Sequence, residues 1–187
     1  MKISLLIFFL ANFNEGQQTK DEYVCLPCGY SCDDKIHSGP GTCETCGMAL
    51  VKKSNIKFNN ITLDELCQRI QTNPKAVLLD VRSQGEFEGT SKEVPSFGHF
   101  KKAINVNVEE LEMRLGELSK YKDQEILVYC SHNHRSPRAS YLLSTNGFAN
   151  VKNMTGVFLP SRRKPAWNAS KRNLFFIHIN NECTAQH

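Results

Sequence analysis

Beyond residues 3–11, the 187-residue chain has no apolar stretch that approaches a bilayer-spanning helix, which needs roughly 20 residues. A transmembrane helix is therefore not expected. The chain also lacks a basic body. Its net charge of +4 is confined to residues 157–187, where Arg162, Arg163, Lys164, Lys171 and Arg172 stand against Glu182. Residues 17–60 carry five basic and five acidic groups, and residues 61–156 carry twelve of each. A nucleic-acid reader needs a basic face on its folded body, so that class is disfavoured. Low complexity is absent too. Hydrophobic residues at 40% and charged residues at 22% are enough for a packed core, and eight Cys with 11 Gly fit no collagen-like repeat. The length suits one ordinary domain with something small attached.

The N-terminus, Met1-Lys2 followed by mostly apolar residues 3–11, has the pattern of a signal peptide over residues 1–16. No Ala-x-Ala follows, and Gly16 is the best small residue for cleavage. The expectation is an exported, periplasmic protein. At the other end, residues 158–187 combine basic clusters with Pro160, Pro165 and an apolar run from Leu174 to Ile177, without helical or alternating period. They are expected to form a poorly ordered basic tail.

Five of the eight Cys fall within residues 23–51. Cys25 and Cys28 form one Cys-x-x-Cys, and Cys43 and Cys46 form a second. Two such knuckles can direct four thiolates at one tetrahedral ion. Cys32 and His37 are spare ligands, and the thioether of Met48 would suit Cu(I) beside thiolates. So small a segment cannot build a sufficient apolar core, and a metal or a pair of disulfides must staple it. Structural disulfides are plausible in an exported protein. The segment, placed at residues 21–53, resembles the short heavy-metal-binding domain found beside copper and heavy-metal transport proteins. The likeness rests on Tyr-x-Cys-x-Pro-Cys from Tyr23 and Gly-Pro-Gly-x-Cys-x-x-Cys-Gly-Met-x-Leu from Gly39. It implies a zinc or copper ion on Cys25, Cys28, Cys43 and Cys46.

Residues 54–60 are polar and read as a linker to a larger domain at 61–157. Thr62 with Glu65 is a capping-box pattern, and Leu63, Leu66, Cys67 and Ile70 make an apolar stripe that puts Cys67 in the core. Val77–Val81, Ala103–Val108, Glu125–Tyr129 and Val151–Met154 read as strands. Glu109–Lys120 and Pro137–Asn146 read as helices, the second stopped by Asn146-Gly147. Alternation of strands and helices predicts an α/β fold with a mainly parallel sheet.

One junction carries chemistry. Strand Glu125–Tyr129 runs into Cys130-Ser131-His132-Asn133-His134-Arg135-Ser136, and a helix follows. Ligands of open α/β sheets bind at the carboxyl ends of strands. A loop that closes onto a helix N-terminus aims N–H groups at an anion. A Cys at the start of that loop gains a stabilised thiolate and becomes a nucleophile. Arg135 adds a fork of donors for an oxyanion. His132 and His134 add loop polarity, or acid–base help or metal capture beside the thiolate.

Residues 61–156 resemble the rhodanese family. The likeness rests on Leu78-Leu79-Asp80-Val81-Arg82, Glu86-Phe87, Gly98-His99-Phe100 to Asn105, the Cys130-x4-Arg135-Ser136 loop, Gly147-Phe148 and Thr155-Gly156. It implies a rhodanese-like parallel sheet flanked by helices behind the small N-terminal Cys-rich module. It also implies that Cys130 takes a sulfane sulfur from a donor such as thiosulfate and passes it to a thiol or cyanide. The amides from Ser131 to Arg135 would cradle the outer sulfur, with Asn133, His134 and Ser136 in the same loop, and Arg135 would hold the donor's anionic end. Members with four residues between Cys and Arg are similar to sulfurtransferases, whereas relatives with five act on phosphate or arsenate. The alternative is a non-enzymatic protein that binds or senses heavy metal. Asp80 and Arg82 read as a structural ion pair, and His99 also as structural. The family commonly closes on Thr-Gly-Gly and a last amphipathic helix, whereas here Thr155-Gly156-Val157 leads into the basic tail.

Overall fold

The structure, a computed structural model, describes residues 21–26, 31–92 and 98–155. The expected signal peptide, Cys28 and the basic tail lie outside the described residues.

The small N-terminal sheet comes first. Strands β1 (Tyr23–Val24), β2 (Ile36–His37) and β3 (Val51–Lys52) form an antiparallel sheet in the order β2-β1-β3. The expected linker is instead built into the larger domain. Phe58 is buried in the main core, and Asn59–Ile61 is a strand, β4. Of its three residues only Ile61 is buried, so the strand carries almost no apolar signal.

Helix α1 (Leu63–Thr72) starts where the capping box predicts. Thr62 Oγ1 accepts from the Glu65 N–H at 3.3 Å, and Glu65 Oε2 accepts from the Thr62 N–H at 2.7 Å. The apolar stripe faces the core through Leu66, with Leu63 and Ile70 at its margin. Cys67 shares that margin but is disulfide-bonded rather than a free core thiol.

Strand β5 (Val77–Asp80) is followed by a short helix, α2 (Gln84–Glu88), which the sequence reading did not contain. The second expected strand shrinks to β6 (Ile104–Asn105). The helix expected over Glu109–Lys120 is only α3 (Leu115–Leu118), preceded by turns and followed by a 3-10 turn over Ser119–Tyr121. The turns are held by i→i−3 bonds such as Leu111 N–H to Val108 O, and the Asn107 side chain caps Glu109. The expected inward side is kept, because Leu111 and Leu118 are buried. Strand β7 is Glu125–Tyr129, helix α4 is Arg135–Thr145 and strand β8 is Asn150–Met154. Helix α4 ends at Asn146-Gly147 as expected, with Gly147 at φ +86° and the Phe148 N–H on the Leu143 carbonyl, a Schellman closure.

The five strands of the larger domain are all parallel, in the order β4-β8-β7-β5-β6. The α/β parallel sheet predicted from the sequence is therefore the observed fold. All five residues of β7 are buried, as a central parallel strand requires. Successive side chains alternate between faces. Ile126 and Val128 join α4 residues Ala139 and Leu143 in one core, while Leu127 and Tyr129 join Leu66 and Phe100 in the other.

The small sheet is not a detached appendage. Leu26, directly after Cys25, is buried in the α4-side core, with Val51 and Ile56 packed against it. Beside this contact a cavity of about 590 Å³ lies between the turn at Gly47–Ala49 and Arg138, Tyr141 and Leu142 of α4. No helix among the described residues is long and apolar enough to cross a membrane.

Candidate active site and thiol cluster

Cys130 follows β7 directly, at the carboxyl end of the central strand, and is 2% exposed. Its Sγ lies 3.4 Å from Ser136 Oγ, which in turn lies 3.5 Å from Asn133 Oδ1. Asn133 is left-handed at φ +55°, a conformation that Asn tolerates better than most residues, and it reverses the loop. Asn133 Oδ1 also accepts from Asn153 Nδ2 at 3.2 Å, and Asn153 Nδ2 reaches Asn60 Oδ1 at 2.8 Å. A polar chain thus runs from the thiol through the loop to β8 and β4. Asn153 is fully buried, and the sequence reading gave it no role.

Helix α4 begins two residues earlier than expected, at Arg135, so the loop between Cys130 and the helix is only Ser131–His134. Pro137 is then the third helical residue, where a missing N–H breaks no intrahelical bond. Cys130, Ser131 and Ser136 are buried, whereas His132 and His134 are exposed. His132 Nδ1 lies 2.8 Å from Ser131 Oγ. Its pKa is lowered by partial burial and by the positive charges of Arg135 and His134, which favours the neutral imidazole at pH 7.

Arg135 is engaged within the chain. Its Nη1 donates to Glu86 Oε2 at 2.6 Å and its Nη2 to Glu86 Oε1 at 2.8 Å, a bidentate pair. The same Nη2 donates to Ser131 Oγ at 2.8 Å. Glu86 sits on α2 with its side chain 3% exposed, and its Oε2 also accepts from the Ser83 N–H at 3.2 Å and the Ser83 hydroxyl at 3.0 Å. Burial alone would raise the Glu86 pKa. The hydrogen bonds and charge of Arg135, with those of Ser83, outweigh it and hold the pKa down to about 2. Glu86 raises the Arg135 pKa in return, against burial. The sequence reading missed Glu86 as a site residue.

Asp80 and Arg82 form the buried ion pair expected of them. Arg82 donates to Asp80 through its backbone N–H at 3.0 Å, Nε at 2.9 Å and Nη2 at 2.5 Å, and Nη2 also reaches the Gly98 carbonyl at 2.6 Å. His99 stacks on Phe87 at 3.9 Å, with Nδ1 2.9 Å from the Phe87 carbonyl oxygen.

In the small module, one thiol sulfur from each of Cys25, Cys32, Cys43 and Cys46 lies within 4.8 Å of the other three. None of the four is in a disulfide, and Cys25 Sγ and Cys46 Sγ lie 3.2 Å apart. The turn that presents Cys43 and Cys46 is closed by Gly47 at φ +73°, whose N–H donates to the Cys43 carbonyl, and by the Cys43 N–H on Met48 O. The Cys46 backbone N–H is the leading cause that lowers the Cys43 thiol to a pKa of about 7. Cys32, read as a spare ligand, is one of the four gathered thiols. Met48 packs against the cluster, while His37 lies outside the four, its Nε2 buried without a hydrogen-bond partner among the described residues. Four closely gathered thiols fit the donor set of a soft metal ion.

A buried cysteine at the end of a central parallel strand, looped onto a helix start, is an arrangement in an α/β fold that can serve nucleophilic-cysteine chemistry. The rhodanese-like domain model matches residues 62–159, just over half of the sequence. The chain belongs to the rhodanese-like family. It is 36% identical over 84 residues to the uncharacterized protein YqhL of Bacillus subtilis, covering 45% of this chain and 59% of that protein. It is 29% identical over 96 residues to the tRNA uridine(34) hydroxylase of Cronobacter sakazakii, covering 49% of this chain and 25% of that enzyme. The chain thus spans less than two thirds of these curated relatives. Among solved structures it matches the human single-domain sulfurtransferase TSTD1 at 23% identity and a TM-score of 0.43, over 53% of this chain and 90% of that one. It matches the Bacillus anthracis CoADR-RHD at 27% identity and a TM-score of 0.44, over 54% of this chain and 16% of that one.

Proposed function

We propose that the protein is a rhodanese-type sulfurtransferase that moves a sulfane sulfur through a persulfide on Cys130. The observation that carries this reading is the placement of Cys130 at the head of a four-residue loop that leads into the first turn of α4, with its sulfur on Ser136. The Cys130 thiolate attacks the outer sulfur of a donor such as thiosulfate. A sulfur–sulfur bond forms to Cys130, and the donor's own sulfur–sulfur bond breaks, its electron pair leaving on sulfite. A thiolate or cyanide then takes the outer sulfur and regenerates the Cys130 thiolate. The test is thiosulfate-to-cyanide transfer by wild type and Cys130→Ser, with intact mass in parallel. Thiocyanate formation lost in the variant, with one added sulfur on the wild type alone, is the expected result. A folded wild type that gains no sulfur from any donor overturns the reading.

For the small module, we infer a resident soft metal ion on Cys25, Cys32, Cys43 and Cys46, supported by the four sulfurs gathered within 4.8 Å of one another. A full thiolate set suits zinc, while the adjacent Met48 thioether favours Cu(I). The ion would supply folding energy to a segment with little core of its own. Metal analysis of protein purified without added metal tests this: one zinc or one copper per chain is expected, and a metal-free folded chain with these thiols in disulfides would refute it. Export to the periplasm, read from residues 1–16, completes the proposal and is tested by N-terminal sequencing of the mature protein.

A further inference from the structure

The loop arginine is already occupied. Both terminal nitrogens of Arg135 bind the Glu86 carboxylate, one of them also binds Ser131, and the Arg135 side chain is 29% exposed against 3% for Glu86. Ser83 fixes Glu86 from behind with its N–H and its hydroxyl. The positive charge that would receive an anionic donor is therefore paired in advance with an internal carboxylate. A donor dianion gains little from a neutralised guanidinium, and it must approach with the Glu86 charge close to its own. A donor with one charge fewer meets less of that opposition, because like charges brought together cost affinity steeply.

We propose that Glu86 is a specificity-determining residue that acts through Arg135 to disfavour doubly charged sulfur donors relative to singly charged ones. The inference rests on the sulfur-transfer reading and narrows its donor class. The chemistry at Cys130 is the same for both donors: thiosulfate releases sulfite, and an alkyl thiosulfonate releases the alkylsulfinate.

Thiosulfate and methanethiosulfonate make the comparison direct, since a methyl group replaces one oxyanion oxygen and removes one charge. The readout is the ratio of kcat/KM for thiosulfate to that for methanethiosulfonate, with cyanide as acceptor and Cys130 loading followed by intact mass. Glu86→Gln should raise that ratio about tenfold, the equivalent of a modest change in charge interaction. Glu86→Asp, which keeps the charge, should restore a ratio near the wild-type value. Ser83→Ala, which loosens Glu86 without removing it, should give an intermediate rise and serves where Glu86→Gln fails to fold. On the wild type alone, thiosulfate KM should change by less than about twofold between about 20 and about 200 mM salt, since a neutralised pair offers little charge to screen. If the Glu86 and Ser83 variants lower both rates together and leave the ratio unchanged, Glu86 only holds the loop and the proposal falls, while sulfur on Cys130 leaves the transfer reading intact. A steep salt dependence of wild-type KM also overturns it. Should neither donor load Cys130 in the folded wild type, the transfer reading fails and takes this one with it.

Discussion

Replacing Arg82 with Met should be among the most damaging single changes to the fold. Arg82 is 1% exposed and Asp80 fully buried, and the pair closes the carboxyl end of β5 next to that of β7. Arg82 also lies 6.0 Å over the Tyr129 ring and reaches the Gly98 carbonyl. Met fills much of the same volume but leaves the Asp80 carboxylate buried without its cation. Breaking a buried ion pair on one side costs about 3–5 kcal/mol, because the remaining charge is uncompensated. Against a total stability of roughly 5–15 kcal/mol for a domain, that consumes a large share. The double variant Asp80→Leu with Arg82→Met removes both charges, so it should be more stable than Arg82→Met alone, even though one more group has been changed. Urea unfolding followed by circular dichroism measures both. The Asn105 amide, which donates to the carbonyls of Asp80 and Arg82 at 3.0 and 2.9 Å, keeps the turn in either variant. A single variant within about 1 kcal/mol of wild type, or a double variant less stable than the single, would refute the reasoning, since only the unpaired charge predicts that order.

Three further outcomes follow from other parts of the chain. Gly147→Ala should lower stability by about 1 kcal/mol in thermal or urea unfolding, because φ +86° is unfavourable for Ala. The cost is a backbone one, since the added Cβ would meet only the Lys122 side chain, at 3.7 Å. Glu86 has a folded pKa of about 2, below its unfolded value, so its contribution is present above about pH 4.3 and lost as pH falls towards 2. Glu86→Gln should therefore flatten the acid limb of the stability profile over that window and leave its slope above pH 6 unchanged, as pH-dependent urea midpoints will show. Leu26→Ala should cost about 2–5 kcal/mol as a large-to-small change in a buried site. Because Cys25 and Leu26 are adjacent, chelating the proposed metal should lower the unfolding midpoint of the whole protein less in Leu26→Ala than in wild type.

The features legible in the sequence are those whose signal lies within one element. The apolar run Glu125–Tyr129, the Cys that follows it, the Thr62 capping box and the Asn146-Gly147 stop each need only neighbouring residues to be read, and each stands where expected. Strand β4 was illegible because Asn59 and Asn60 are exposed and leave only Ile61 to show burial. Helix α2 is too short for a period, yet Ser83 with Glu86 repeats the capping-box signature that located α1, so a signal for it was present. Cys32 was legible only as a spare ligand, because Cys-x-x-Cys spacing describes a knuckle and Cys32 belongs to neither pair, yet its sulfur is one of the four gathered. The partnership of Glu86 with Arg135 spans 49 residues and has no local signature. It follows instead from strand order. In a parallel sheet with β5 beside β7, the segments leaving their carboxyl ends emerge side by side. The segment after β5 carries Arg82, Ser83 and Glu86, and the segment after β7 carries Cys130 to Arg135. Since sequential parallel strands and their crossovers obey strong topological preferences, the arginine of one segment had few places to find a carboxylate. The buried capping glutamate of the neighbouring segment meets it.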